Sequence, residues 1–425
     1  MRTIVSLVFA TMAMMLLASC ATIGEQDVIR GDGSNPMMAG AITKDSKSLV
    51  CTTQRGACFS PQALLRGKPC RCADEHGIIE GIAAGPSATG SDVGLATVVP
   101  VFFATDRGKH ISPESGDDAF TNGRGENISY GLVKISIPAT HHAGQLEEPL
   151  SFVRLRYLES AKRHVLLLTT SILDAPTFFG EVRSALKSAE RPDALIFVHG
   201  FNNSFSDAAR RTAQLSFDLG FQGVPVLFSW ASQDSPTPLG YSADSQTIQW
   251  SQENIRRFLD DFLAKTEVRR LYLIAHSMGT QALTKAFVSL LQSNPSYQQR
   301  IQEVILAAPD IDSAIFRRDI APAMVRIGAP VTVYASTKDK AMMLSLKAAN
   351  YPRVGDSANG LVLMNGIETI DATGFDTGLL GHSTFAESRE LLMDWNYIIS
   401  QGLRAKERTG LRQLRSDIPF WTLRR

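Results

Sequence analysis

The sequence predicts an α/β fold, a mainly parallel β-sheet with helices on both faces, and three observations carry that expectation. Past residue 175 apolar strand-like runs alternate with stretches of helical period. Some of these runs, such as "DALIFV" at 193–198, are apolar almost throughout, which suits strands buried on both faces. They end in turn residues, and in an open parallel sheet the site lies just beyond the carboxyl ends of the strands.

Taken in order, "TVVPVFFATDR", "ISYGLVKISIPAT" and "HVLLLTTSI" read as β-strands ahead of the alternating region. "DALIFVHGF" follows as a strand and turn. In "NNSFSDAARRTAQLSFDLGF", Ser204 and Asp207 have capping-box spacing, and Phe205, Ala208, Ala209, Thr212, Leu215 and Leu219 recur on one helical face. "VPVLFSW" reads as a strand. The segment 231–250, with Pro236, Pro238, Gly240, Tyr241 and Trp250, reads as a loop, either a roof over an acyl pocket or an ordinary connection. Then come "QENIRRFLDDFLAKT" as helix, "RRLYLIAHS" as strand and "TQALTKAFVSLLQ" as helix. "QEVILAAPDID", "PVTVYAST" and "IETIDAT" close the series as strands.

The 425 residues, 44% hydrophobic and 20% charged, are those of a globular chain with room for a large core. A net charge of +1 gives no general attraction to nucleic acid. Charge is uneven only at the end, where residues 401–425 carry +5 and read as a solvated extension. No internal repeat is visible.

The first twenty residues, "MRTIVSLVFATMAMMLLASC", place one cation, Arg2, before a mainly apolar run and the small residues Ala18 and Ser19. This is the layout of an export signal, and the run is shorter than the roughly 20 apolar residues that a bilayer-spanning helix needs. Leu17-Ala18-Ser19-Cys20 resembles the bacterial lipoprotein lipobox. That resemblance implies cleavage before Cys20, a lipid on its sulfur, and a mature protein anchored to the cell envelope. Ala21 leans the anchor toward the outer membrane.

Cys51, Cys58, Cys70 and Cys72 lie within 22 residues of one another, and in an exported chain such a set reads as two disulfides. Bonding Cys70 to Cys72 would strain the ring, so Cys51 is expected to pair with Cys70 or Cys72 and Cys58 with the other. The spacing does not match a Cys-x2-Cys zinc site. The expected organisation is a signal peptide at 1–19, a tether and Cys-rich segment at 20–92, the α/β domain at 93–400 and a basic tail at 401–425.

Chemistry concentrates in "LYLIAHSMGTQAL" (271–283). A serine on a sharp strand-to-helix turn has its hydroxyl pushed out of the sheet beside the helix N-terminus, and Gly279 two residues later removes a clash. The G-x-S-x-G pattern holds apart from Ala275 in the first position. The competing reading is that Ser277 only caps the helix through its side chain. As a nucleophile Ser277 needs a proton acceptor. His276 adjoins it and should point elsewhere. His199 ends an earlier strand, and His382, in "TGLLGHSTF", follows the last strand, where the base is expected. For the acid that orients the base, Asp339 in "VYASTKDKAM" leads, with Asp310 and Asp312 in "LAAPDID" as alternatives. The oxyanion would be bound by the N–H of Met278 and by that of Phe201, or alternatively Asn202, in "HGFNNSF". Such a mechanism needs no metal or organic cofactor.

With these residues in place, "VFFATDR", "IFVHGFNNSFSDAARRTAQLSFDLGF", "VPVLFSWAS", "LYLIAHSMGTQAL", "VYASTKDKAM" and "GHSTF" together resemble a bacterial α/β-hydrolase family catalogued as a domain of unknown function, marked by an H-G-F-N turn and an A-H-S-M-G elbow. The resemblance runs from about residue 98 to 395. It implies the α/β-hydrolase fold, with Ser277 as nucleophile, Asp339 as acid and His382 as base. Ala231 departs from the proline that often follows F-S-W in that family. The expected function is a lipid-anchored serine hydrolase acting on an ester or related acyl bond of a small-molecule or lipid-like substrate. The rivals are a non-catalytic envelope lipoprotein using the scaffold for binding, and an acyltransferase.

Overall fold

The computed structural model describes residues 47–53, 56–65, 69–74, 77–84, 96–110, 119–147, 160–161, 163–337, 351–358, 360–375 and 388–424, with the backbone alone described between 47 and 84. All of these belong to one compact unit, Ala39–Arg425. Cys20 and the export segment, Asp339 and His382 lie outside the described residues.

The described residues begin with four strands, β1 (Lys47–Thr53), β2 (Gly56–Leu65), β3 (Pro69–Asp74) and β4 (Gly77–Ala84), in an antiparallel sheet of order β2-β1-β4-β3. The register sets Cys51 opposite Cys58, while Cys70 and Cys72 lie opposite Gly81 and Ile79 on β4. β4 separates β1 from β3. On the backbone, then, Cys58 is the cysteine directly across from Cys51, a neighbour that spacing in sequence does not reveal.

The main sheet comprises β5 (Ala96–Lys109), β6 (Phe120–Pro138), β7 (Leu166–Leu173), β8 (Asp193–Val198), β9 (Val224–Ser229), β10 (Arg270–His276), β11 (Ile301–Ala307), β12 (Val331–Ala335), β13 (Glu368–Asp371), β14 (Leu411–Leu414) and β15 (Phe420–Leu423). Their order is β14-β15-β13-β12-β11-β10-β8-β9-β5-β6-β7. Every pairing from β5 across to β13 is parallel, as is β13 with β15; the edge pairings β5–β6, β6–β7 and β14–β15 are antiparallel.

The apolar strands follow from the two-residue period of the pleat. Ala194, Ile196 and Val198 of β8, with Leu271, Leu273 and Ala275 of β10, enter one core; Leu195, Phe197, Tyr272 and Ile274 enter the other. Helices α1 (Ala175–Ser188), α3 (Pro238–Lys265), α4 (Gly279–Ser293) and α5 (Ala321–Ile327) cover the first face. α2 (Phe205–Asp218) and α6 (Arg389–Gln401) cover the second. Ser204 and Asp207 form the expected capping box at the start of α2.

Two expectations are corrected. The segment 231–250 is a loop only as far as Thr237, which caps α3 by accepting from the Gly240 N–H. Pro238 occupies the first turn, and buried Tyr241, Asp244, Ile248 and Ser251 continue the helical spacing into "QENIRRFL". Trp250 does not join a roof; the Arg124 guanidinium lies 5.2 Å from its ring centroid. The basic tail is no solvated extension either. Strands β14 and β15 extend the sheet, and Arg404 and Arg408 turn inward onto Glu303, Glu368 and Asp394. Its charge reads as a surface feature only while the carboxylate partners, distant in sequence, go unseen. Among the described residues no helix is long and apolar enough to cross a membrane.

Candidate active site

β10 delivers the chain to Ser277, whose φ is +49°, the left-handed region that an L-residue seldom adopts outside a tight, over-determined turn. The surroundings hold it there. The Ser277 N–H donates to the Ala307 carbonyl at 2.9 Å, and its own carbonyl accepts from the Thr280 N–H, the Thr280 hydroxyl and the Asp310 N–H at 3.1, 2.6 and 3.3 Å. Gly279 has no room for a side chain, since a Cβ there would stand 2.3 Å from the His199 carbonyl oxygen. The capping position of α4 is Met278, and no side chain caps the helix. Among the described residues the Ser277 hydroxyl has no hydrogen-bond partner. Capping therefore does not account for this serine.

The turn after β8 closes on the elbow. A Cβ on Gly200 would lie 3.0 Å from both the Ser277 Cβ and the His276 Nδ1. Beyond it Asn202 is also left-handed, at φ +57°. Its backbone amide donates to the Asp244 carboxylate. The Asn203 side chain donates back to the Phe201 and Gly200 carbonyls at 2.8 and 3.3 Å. On the elbow side, the Met278 N–H has no acceptor among the described residues.

Among the described residues four non-glycines have positive φ: Asn202, Asp234, Ser277 and Ala308. They follow β8, β9, β10 and β11, four adjacent strands, at their carboxyl ends. Strain of this kind costs about 1–3 kcal/mol at each position and persists where the surrounding structure over-determines it. Its concentration along one edge of the sheet makes that edge the candidate site.

The remaining candidates separate by environment. His199 is buried, stacked on Trp230 with ring centroids 5.1 Å apart, with Nδ1 2.8 Å from the Gly200 carbonyl. Burial, aided by the Arg107 charge, pushes its imidazole down to about 3, so it is neutral and structural. Asp310 is buried, accepting from the Tyr241 hydroxyl at 2.7 Å and facing the Arg353 Nε at 3.2 Å. Asp312 caps the following turn through the Ala314 and Ile315 amides. Both carboxylates thus have partners among the described residues. Of the expected site, Ser277, Met278 and Phe201 fall together at one edge.

Sequence reasoning missed Arg107 and Asp244. Arg107, within the quoted "VFFATDR", is 1% exposed. A cation ending an otherwise apolar strand was the available signal. Tyr241, whose ring packs edge-on to Phe201, separates this turn from a groove of about 460 Å³ whose lining includes Gln281, Lys285, Ile311 and Arg353. Among the described residues no cluster of His, Cys, Asp and Glu could hold a metal ion.

The model of a family described as alpha/beta hydrolase of unknown function (DUF900) matches residues 177–401. No curated protein matches the chain. Among solved structures, an inhibited esterase B from Lactobacillus rhamnosis is 10% identical over 64% of this chain and 82% of its own, with a TM-score of 0.29. Lipase B from Aspergillus fumigatus is 17% identical over 37% and 42%, with a TM-score of 0.23. A thioesterase domain from the curacin biosynthetic pathway is 10% identical over 48% and 90%, with a TM-score of 0.27. Likeness at this level says nothing of activity.

Proposed function

Because the chain belongs to the alpha/beta hydrolase family of unknown function, its model matching residues 177–401, we propose that it is a serine hydrolase that cleaves an ester or related acyl bond. The observation that carries this reading is the elbow: an uncapping serine, held at φ +49° past the carboxyl end of a central strand, with a glycine turn pressed against it.

In the proposed reaction the Ser277 oxygen attacks the acyl carbon while His382 takes the hydroxyl proton. Asp339 orients His382 and stabilises the imidazolium. The N–H groups of Met278 and Phe201 bind the oxygen that becomes negative in the tetrahedral intermediate. Collapse breaks the bond to the leaving group, which receives the proton from His382. Water, activated by the same histidine, then releases the acid and restores Ser277. Lipidation of Cys20 and residence at the cell envelope complete the proposal, which would bring the enzyme to substrates near a membrane.

Hydrolysis of p-nitrophenyl esters of graded chain length by the purified protein and by Ser277→Ala tests it. The wild type should turn over at least the short esters and the variant should lose about 10³-fold or more in kcat. Equal rates in the two proteins would refute the reading.

A further inference from the structure

Arg107 sits at the carboxyl end of β5, the edge of the sheet that carries the elbow, yet it is not at the surface and makes no ion pair among the described residues. Its guanidinium is spent on neutral acceptors. Nε donates to the Ser229 hydroxyl at 2.9 Å; Nη1 donates to Asn122 Oδ1 at 3.0 Å and the Ser232 carbonyl at 3.1 Å; Nη2 donates to the Asn203 carbonyl at 2.7 Å. Desolvating a guanidinium is costly, and a merely structural strand end has cheaper solutions.

Asp244, buried on α3, completes the arrangement from the opposite side. Its carboxylate accepts from the Ser232 hydroxyl at 2.6 Å, the Gln233 N–H at 2.8 Å and the Asn202 N–H. Ser232 connects the two charged groups. Its carbonyl faces Arg107, its hydroxyl faces Asp244, and that hydroxyl also accepts from the Asn203 N–H at 3.2 Å. Asn202 and Asn203 are thereby fixed through an amide of each and the carbonyl of Asn203, just beyond Gly200, where a Cβ would stand 3.0 Å from that of Ser277.

We propose that Arg107 and Asp244, joined through Ser232, are positioning residues that hold the turn at Gly200-Phe201 in its oxyanion-binding geometry. The inference rests on the serine-hydrolase reading. The clamp touches no reacting atom; it fixes the left-handed Asn202, and with it the direction of the Phe201 amide. Displacing a donor by about 1 Å weakens its hold on the tetrahedral oxyanion far more than its hold on the ground-state ester, so the loss should fall on kcat and not on KM.

The test compares wild type with Ser232→Ala, Asp244→Asn and Arg107→Lys in the full chain, using p-nitrophenyl butyrate and a trifluoromethyl ketone that forms a tetrahedral adduct on the nucleophile. Ser232→Ala is the mildest variant and guards against loss of folding in the other two. Expected are a kcat lower by 10- to 100-fold, an inhibition constant for the ketone raised by a similar factor, a KM within threefold, and a Tm close to that of wild type for Ser232→Ala. Folded variants with wild-type kcat overturn the proposal. So does lost activity accompanied by undiminished ketone affinity per folded molecule, because that pattern belongs to a structural role alone. A wild-type protein that neither hydrolyses the ester nor binds the ketone would instead remove the serine-hydrolase reading, and the positioning role with it.

Discussion

The Cβ of Ser277 lies 3.0 Å from where a Cβ on Gly200 would stand, so the turn after β8 and the elbow after β10 meet with no side chain between them. The substitution Gly200→Ala would push the two apart by a few tenths of an ångström. Steady-state kinetics should show kcat reduced by about 10- to 100-fold with the fold retained, as for loss of an oxyanion donor. Gly279→Ala is different, because its Cβ would meet the His199 backbone carbonyl at 2.3 Å. A carbonyl fixed at a strand end cannot yield, and thermal denaturation should show a loss of about 2 kcal/mol or more, or no soluble protein.

The acid of the triad separates from its alternatives by mutation. Asp310→Asn disturbs bonds to Tyr241 and Arg353 and should cost about 1–3 kcal/mol of stability while leaving kcat within tenfold. Asp339→Asn should do the reverse, lowering kcat by about 10³- to 10⁴-fold with little change in Tm. If Asp310→Asn produced the larger kinetic loss at unchanged stability, Asp310 would be the acid.

How much of this was legible beforehand differs from residue to residue. The α/β alternation, the capping box of Ser204 and Asp207 and the Ser277 turn are local patterns, and they stood in the sequence. The start of α3 was hidden by Pro238 and Gly240, which look like loop residues until Thr237 is recognised as a cap and Pro238 as a first-turn residue. Arg107, Asp244 and Ser232 were illegible for another reason. Their roles depend on contacts among β5, the loop after β9 and α3; Arg107 lies 125 residues from Ser232, and the 12 residues between Ser232 and Asp244 run from loop into helix, where no spacing rule reports the contact. Arg404 and Arg408 were misread for the same reason.

His141 provides a pH test remote from the site. Burial alone would depress its imidazole, but Asp218 and Glu147, 2.8 and 2.7 Å from its two ring nitrogens, outweigh that and raise it to about 9. The unfolded imidazole releases its proton near 6.5. The folded state therefore keeps the proton longer, and its contribution is complete below about pH 6.5 and is lost as pH rises toward 9. Tm measured across that interval should fall, with up to about 3 kcal/mol at stake. His141→Gln should flatten the slope; an unchanged slope in the variant would remove His141 as its source.

The inward-turned C-terminal arginines predict a stability cost. Arg408 is buried between Asp394 and Glu368, at 2.6 and 2.7 Å. Replacing it with alanine leaves the buried Asp394 carboxylate without its cation and Glu368 with Arg404 alone, and chemical denaturation should report a loss of about 3–5 kcal/mol. A protein ending before residue 403 would lose β14 and β15 as well and should not accumulate in folded form.

The most direct test of the central claim is the site of covalent labelling by a fluorophosphonate, read by peptide mass spectrometry on the folded protein. The account predicts a single phosphonyl adduct on Ser277, absent from the heat-denatured protein and from Ser277→Ala. A folded, monodisperse protein that took up no label at Ser277, or that carried the adduct equally in the Ser277→Ala variant, would contradict it.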